Sequence, residues 1–250
     1  MNLMPNTKPV CSDAETVYAV QNKAKEIGLC DANQTVSITE GFDGKSIDHL
    51  LTLPEDIRFI TEDGNGVMNN AVMARVFAIA TERGLTVMSH AEDREISPGI
   101  TAWPRTSKRC ATATCRILRH PAAHVPRFHQ RGAGRYPCRQ ARGVRVTCEV
   151  TPHHIWFWDS DFRVNPPIRA KEDVEALIAA MLRGEVEAIA TDHAPHTEED
   201  KRGGAPGMVG LETAFSVCYT KLCREYGMPL ADLSRLMSRG PAEILGLNKG

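Results

Sequence analysis

The stretch Ala188-Ile189-Ala190-Thr191-Asp192-His193-Ala194-Pro195-His196, with Pro206-Gly207-Met208-Val209-Gly210-Leu211-Glu212-Thr213 behind it, decides how this chain reads. A short apolar run ending in an acid and two histidines is how a buried parallel strand delivers metal-binding or acid/base groups at its C-terminal tip. The plainer alternative is a polar loop that happens to hold two histidines.

Outward from that stretch, strand-like and helix-like segments alternate. Ser12-Asp13-Ala14-Glu15 reads as a capping box opening a helix that stops at Gly28. Thr35–Ile38 and Ile57–Thr61 read as strands, the second running into Glu62-Asp63-Gly64. Val72, Val76 and Ile79 share one face of a helix ending at Gly84. Leu85–Met88 is a strand that ends at His90, and Val144–Val150 is a strand leading into Thr151-Pro152-His153-His154. Val174, Leu177, Ile178, Met181 and Leu182 keep helical spacing up to Gly184, Val186–Ala190 is the last strand, and helices follow from Leu211. Strand-then-helix units with polar strand ends indicate a parallel α/β fold, with a (β/α)₈ barrel as the natural candidate. Periodicity alone does not separate that barrel from an open doubly wound sheet.

At 250 residues, 42% hydrophobic and 24% charged, the chain has the composition of one soluble globular domain. A net charge of -1 predicts no strong attraction to nucleic acid or to a membrane surface, and no apolar run approaches membrane-spanning length. The eight cysteines form no regular framework and the N-terminus shows no signal-peptide pattern. The expectation is a cytoplasmic protein with free thiols.

Residues 101–142 break the pattern, with ten Lys or Arg, no Asp or Glu, and no sustained period. A basic insertion is one reading. A zinc module on Cys110, Cys115, His120 and His124 is another, but only four residues separate the Cys and His pairs, where a finger needs about a dozen. The third is translation out of frame. Re-reading Trp103–Cys115 one nucleotide upstream permits an acidic amphipathic helix. The opposite shift over Arg116–Gln140 permits a strand ending in H-V-S-T, then a helix that joins Ala141 smoothly. Two long runs satisfied in succession favour frame error, and 101–142 is treated as an aberrant segment of a single domain over 1–250.

The segments Met4-Pro5-Asn6-Thr7, Thr61-Glu62-Asp63-Gly64, Ser89-His90-Ala91-Glu92-Asp93, Val164-Asn165-Pro166-Pro167-Ile168-Arg169 and the opening stretch together resemble dihydroorotases. These are zinc amidohydrolases of pyrimidine synthesis that interconvert N-carbamoyl-L-aspartate and (S)-dihydroorotate. The match covers about 4–100 and 143–247. The resemblance implies an amidohydrolase barrel and a site with two zinc ions. Asp63 would take the place of the bridging carboxylated lysine, His90 and Asp192 would bind metal, and Asp192 would also relay the proton. Asn6, Asn165, His196 and the Pro206–Gly207 backbone would contact substrate. His153 and His154 match a recurring motif, but a scaffold role is the safer assignment, and His193 matches no ligand position.

Hydrolysis of an unactivated ring amide needs a strong nucleophile at neutral pH, a Lewis acid and a proton shuttle, which zinc and a carboxylate supply. Each candidate also has a purely structural alternative: a turn at Asp63-Gly64, a helix cap at His90, an N-cap at Asp192. Their common position at C-terminal strand ends favours a shared site.

The departures from the family pattern count equally. This sequence contains no H-x-H pair and no H-V-S-T, so the barrel is expected to lack its first strand and most of its second, with the sixth scrambled. Low activity of the chain is therefore expected. Alternatives are a hydantoinase- or allantoinase-like amidase, and a non-catalytic dihydroorotase-like scaffold. The scaffold would bind aspartate carbamoyltransferase, and a homo-oligomer is the other partner arrangement expected.

Overall fold

The computed structural model describes residues 1–90, 114–117 and 146–250. The chain divides into two compact units, one built on Met1–Asp93 and the other on Thr147–Gly250.

In the first unit β1 (Val36–Ser37), β2 (Phe59–Thr61) and β3 (Thr86–Met88) pair in parallel, with Ser37 opposite Thr61 and Thr61 opposite Met88. Every residue of the three strands is buried, as in a parallel sheet covered on both faces. The N-terminal segment extends this arrangement through a parallel bridge between Asn2 and Gln34. The helix Asn70–Arg83 links β2 to β3, and Asn69 caps it by accepting from the Ala71 and Val72 amides. Its buried face is Met73, Val76, Phe77, Ile79 and Ala80, so Val72 lies beside the expected stripe rather than in it.

The first helix runs Ala14–Ile27 and ends at Gly28, whose φ of 72° suits a residue without Cβ. Its N-cap is Asp13, which accepts from the Thr16 amide at 2.8 Å. Ser12, read in sequence as part of the capping box, is instead tied to the sheet: its hydroxyl pairs with that of Ser37 at 2.8 Å and accepts from the Gly41 amide at 3.0 Å.

A short strand, β4 (Thr114–Ile117), pairs antiparallel with β3 through Val87 and Ile117. It falls within the basic stretch that showed no strand period, and it makes the structure mixed rather than wholly parallel. The remainder of 101–142 and the expected Ala91-Glu92-Asp93 segment lie outside the described residues.

In the second unit β5 (Val146–Val150) and β6 (Ala188–Ile189) are parallel, with Glu149 opposite Ala188 and Val150 opposite Ile189. The helices Pro152–Trp156 and Lys171–Leu182 lie between them in sequence. Lys171–Leu182 buries Val174, Leu177, Ile178 and Met181, while Leu182, counted on that face by spacing, is 44% exposed. The C-terminal helices are less regular than the sequence suggested. Ala214–Cys218 passes into a π-helical stretch Tyr219–Glu225, and Leu230–Ser234 into another at Arg235–Arg239, before Gly240–Leu245 closes the unit.

Among the described residues Cys11, Cys30, Cys218 and Cys223 are free thiols. Burial pushes the Cys11 thiol up to about 11 and Cys218 up to about 12, which keeps both protonated and unreactive at neutral pH.

Candidate active site

In the first unit the register of β2 and β3 brings two candidates to one edge. Thr61 faces Met88, and Asp63 and His90 each lie two residues beyond that pair, at the C-terminal end of adjacent parallel strands. Both are half-buried. The neighbouring acid does something different. Glu62 is 2% exposed and accepts from the Thr39 amide at 2.9 Å and from the Thr39 hydroxyl. Burial raises its pKa against the opposing effect of those hydrogen bonds. Glu62 therefore ties β2 to the end of β1, and Asp63 is the acid presented at the edge. The turn alternative for Asp63-Gly64 is also realised, since the Asn65 and Gly66 amides both donate to the Glu62 carbonyl. Asn6 is exposed and follows Pro5, whose carbonyl accepts from the Cys11 amide at 2.8 Å.

The second unit repeats the device. Val150 faces Ile189, and His153 and Asp192 each lie three residues beyond that pair. His153 Nε2 is 3.7 Å from Asp192 Oδ2. The imidazole is 5% exposed, and among the described residues its Nε2 has no hydrogen-bond partner. Burial first, and His154 second, bring its pKa down to about 3, so it is neutral at physiological pH. Asp192 sits at φ 49°, a left-handed conformation that Asp tolerates better than most residues and that recurs at functional sites. No helix begins at Asp192, which removes its N-cap alternative; the next helix, Glu198–Arg202, is capped by Thr197 and Asp200.

Two further histidines of this unit's motifs, His154 and His193, hold backbone. The Pro166 carbonyl can only accept, so His154 Nε2 donates to it at 2.9 Å, which leaves Nδ1 to accept from the Thr151 hydroxyl at 2.6 Å. His154 thereby anchors the segment that carries half-buried Asn165. His193 Nδ1 accepts from the Gly210 amide at 3.0 Å and the Leu211 amide at 3.3 Å, and its backbone bridges to Met208. Both act as scaffold. His153 is the residue whose position the sequence did not reveal, because nothing in the local motif states the β5–β6 register.

His196 is exposed, whereas Gly207 is buried beneath it. A Cβ on Gly207 would lie 2.6 Å from the Ala194 carbonyl oxygen, 2.8 Å from the Ala194 Cβ and 3.0 Å from His196 Cδ2. The absence of a side chain thus lets the 206–208 turn lie directly against the loop that carries His196.

The buried histidines make stability depend on pH. His153 and His154 have folded pKa values below the ordinary 6.5, so between those values the unfolded chain binds more protons and stability rises with pH. Their contribution is complete above about pH 6.5 and falls as the solution is acidified, by up to about 1.4 kcal/mol per pH unit for each group. Glu62, with a raised pKa, acts oppositely: it favours the fold at low pH and loses that contribution as pH rises through its folded value. Urea melts from pH 7 to pH 4 are expected to show a steep net loss. His153→Gln should flatten the profile. An unchanged slope in that variant would contradict the assignment.

Among the described residues no group of three or more His, Cys, Asp or Glu side chains is placed to hold a metal ion. Asp63 with His90, and Asp192 with His153, are the donors the strand ends bring to common edges.

No family model matches the chain. Over 99% of its length it is 47% identical to a dihydroorotase of Clostridium botulinum (strain Eklund 17B / Type B), of which it spans 64%. It is 34% identical over 99% of its length to a dihydroorotase of Brevibacillus brevis and spans 65% of that protein.

The chain is similar to dihydroorotases over nearly its whole length.

The chain spans just under two thirds of the length of these relatives. Its fold resembles that of L-hydantoinase (dihydropyrimidinase) from Arthrobacter aurescens, with a TM-score of 0.72 at 17% identity, over 97% of this chain and 62% of that one. A D-hydantoinase matches with a TM-score of 0.69 at 14% identity, over 92% of this chain and 59% of that one. At such identities the likeness concerns fold alone. Among the described residues no helix is long and apolar enough to cross a membrane.

Proposed function

We propose that this chain carries the ligand site of a dihydroorotase-type cyclic amidohydrolase, which interconverts N-carbamoyl-L-aspartate and (S)-dihydroorotate in pyrimidine synthesis. The observation that carries the reading is the 47% identity to a dihydroorotase over 99% of the chain. On this reading residues 1–250 are one partial (β/α)₈ barrel of a cytoplasmic enzyme, with 101–142 its aberrant segment. Asn6, Asn165, His196 and the Pro206–Gly207 backbone orient the substrate.

Hydrolysis breaks the ring amide: the oxygen of water joins the carbonyl carbon, and the departing nitrogen takes up a proton. Asp192 is the acid assigned to that proton. Its half-exposed carboxylate can reach a ligand at the strand edge, and the neutral imidazole of His153 beside it is not the cation of a fixed ion pair. Burial of His153 also closes one side of the carboxylate to water, which limits the positions it can adopt.

The resemblance implies zinc held by Asp63, His90 and Asp192. Among the described residues no group of three such donors is gathered. A second reading is a non-catalytic scaffold for aspartate carbamoyltransferase. Calorimetric titration with dihydroorotate, hydantoin and allantoin separates the readings. Dihydroorotate is expected to bind best, a hydantoin preference would move the chain to the rival amidases, and co-purification with a transcarbamoylase without any ligand binding would favour the scaffold.

A further inference from the structure

Lys201 lies in the short helix Glu198–Arg202, on a stretch that reads in sequence as a charged surface. In the structure its ammonium group is turned inward. Nζ donates to the carbonyls of Arg163, Ala205 and Gly207, each at 2.9 Å, so all three of its N–H bonds are used. The Phe162 ring lies 4.3 Å from the same nitrogen, a distance at which a cation is held over an aromatic face. The Arg163 carbonyl also accepts from the Gly207 amide at 3.0 Å. A Cβ on Gly204 would lie 2.2 Å from Arg163 Nη1, so glycine there admits the guanidinium against the loop. One side chain thereby joins two segments that are 38 residues apart at their contact.

We propose that Lys201 is the positioning residue of this loop: it pins the Pro206–Gly207 turn to the segment carrying Asn165, and so fixes the seat of His196. The proposal rests on the reading of this loop as ligand-facing. A lysine suits the task because three carbonyls converge on one point, which a compact ammonium satisfies and a planar guanidinium cannot. The contact of Gly207 with Ala194 and His196 transmits the restraint, since the turn cannot shift without releasing the histidine's loop.

Amide hydrogen exchange on the intact 250-residue chain tests this, comparing wild type, K201M and K201R with and without dihydroorotate. In K201M the amides of Gly204, Ala205, Gly207 and Met208 are expected to exchange at least tenfold faster, while those of the helix Lys171–Leu182 keep their rates and report that the unit is folded. Dihydroorotate affinity is expected to fall at least tenfold. K201R keeps the charge and stem but is expected to resemble K201M. Unchanged exchange in K201M, a loosened loop with wild-type affinity, or full rescue by arginine would each overturn the proposal. If dihydroorotate does not protect the loop of the wild type while K201M still loosens it, the ligand reading fails and the anchoring role stands.

Discussion

Replacing Gly240 by alanine is expected to lower the melting temperature by about 6–12 °C, the shift that about 3 kcal/mol produces in a chain of this size. The helix Gly240–Leu245 packs against β6. An added Cβ at Gly240 would lie 2.2 Å from the Glu187 carbonyl oxygen and 3.0 Å from the Arg235 carbonyl oxygen. Both obstacles are backbone, so no rotamer change relieves them. Forcing extra atoms into a packed contact costs about 1–3 kcal/mol, and more where neighbours cannot yield. Gly240 has ordinary helical dihedrals, φ -58° and ψ -52°, so the cost comes from crowding and not from backbone conformation. Thermal and urea melts followed by circular dichroism measure it. A melting point within a degree of wild type would show that the helix does not approach β6 this closely.

Replacing Gly207 by alanine is expected to weaken dihydroorotate binding about 100-fold, equivalent to about 3 kcal/mol. Two effects combine. Gly207 has φ 138°, where a residue with Cβ is strained by about 1–3 kcal/mol. The new Cβ would also meet the Ala194 carbonyl oxygen at 2.6 Å and His196 Cδ2 at 3.0 Å. The turn and the His196 loop must separate, and the positions assigned to substrate contact move with them. The same strain falls on the folded protein, so global stability should drop as well, by about 1–3 kcal/mol. Titration calorimetry alongside a thermal melt distinguishes the two effects. Binding retained at wild-type strength would remove the Pro206–Gly207 turn from the ligand site.

Strands β2 and β3 were legible because each is a buried, largely apolar run ended by a polar residue, at Phe59–Glu62 and Leu85–His90. Helix limits were legible where a glycine in the left-handed region stops the chain, at Gly28 and Gly84. What escaped depended on partners distant in sequence. Ser12 and Asp13 are both good caps by type, and only contact with Ser37 and Gly41 decides that Ser12 serves the sheet. Val72 and Met73 are equally apolar, and the packing of the helix selects Met73 for the interior.

The site divides in the same way. Asp63, His90 and Asp192 stand at strand ends, where the spacing and the family resemblance had placed them. The closeness of His153 to Asp192 follows from the register of β5 and β6, which no local motif encodes. Lys201 was invisible for another reason: its partners are main-chain carbonyls, which any residue supplies, so no sequence pattern marks them. The antiparallel β4 lies in a stretch whose composition carries no period at all.

The measurement that bears most directly on the central claim is calorimetric titration of the purified 250-residue chain with dihydroorotate, set beside hydantoin and allantoin. Asp192→Asn serves as a control for the proton-handling residue, and zinc content is determined on the same sample. Dihydroorotate is predicted to bind at least tenfold more tightly than either rival, to bind G207A about 100-fold more weakly, and to bind with less than one zinc per chain present. Tighter binding of hydantoin, or the same weak affinity for all three compounds, would contradict the account.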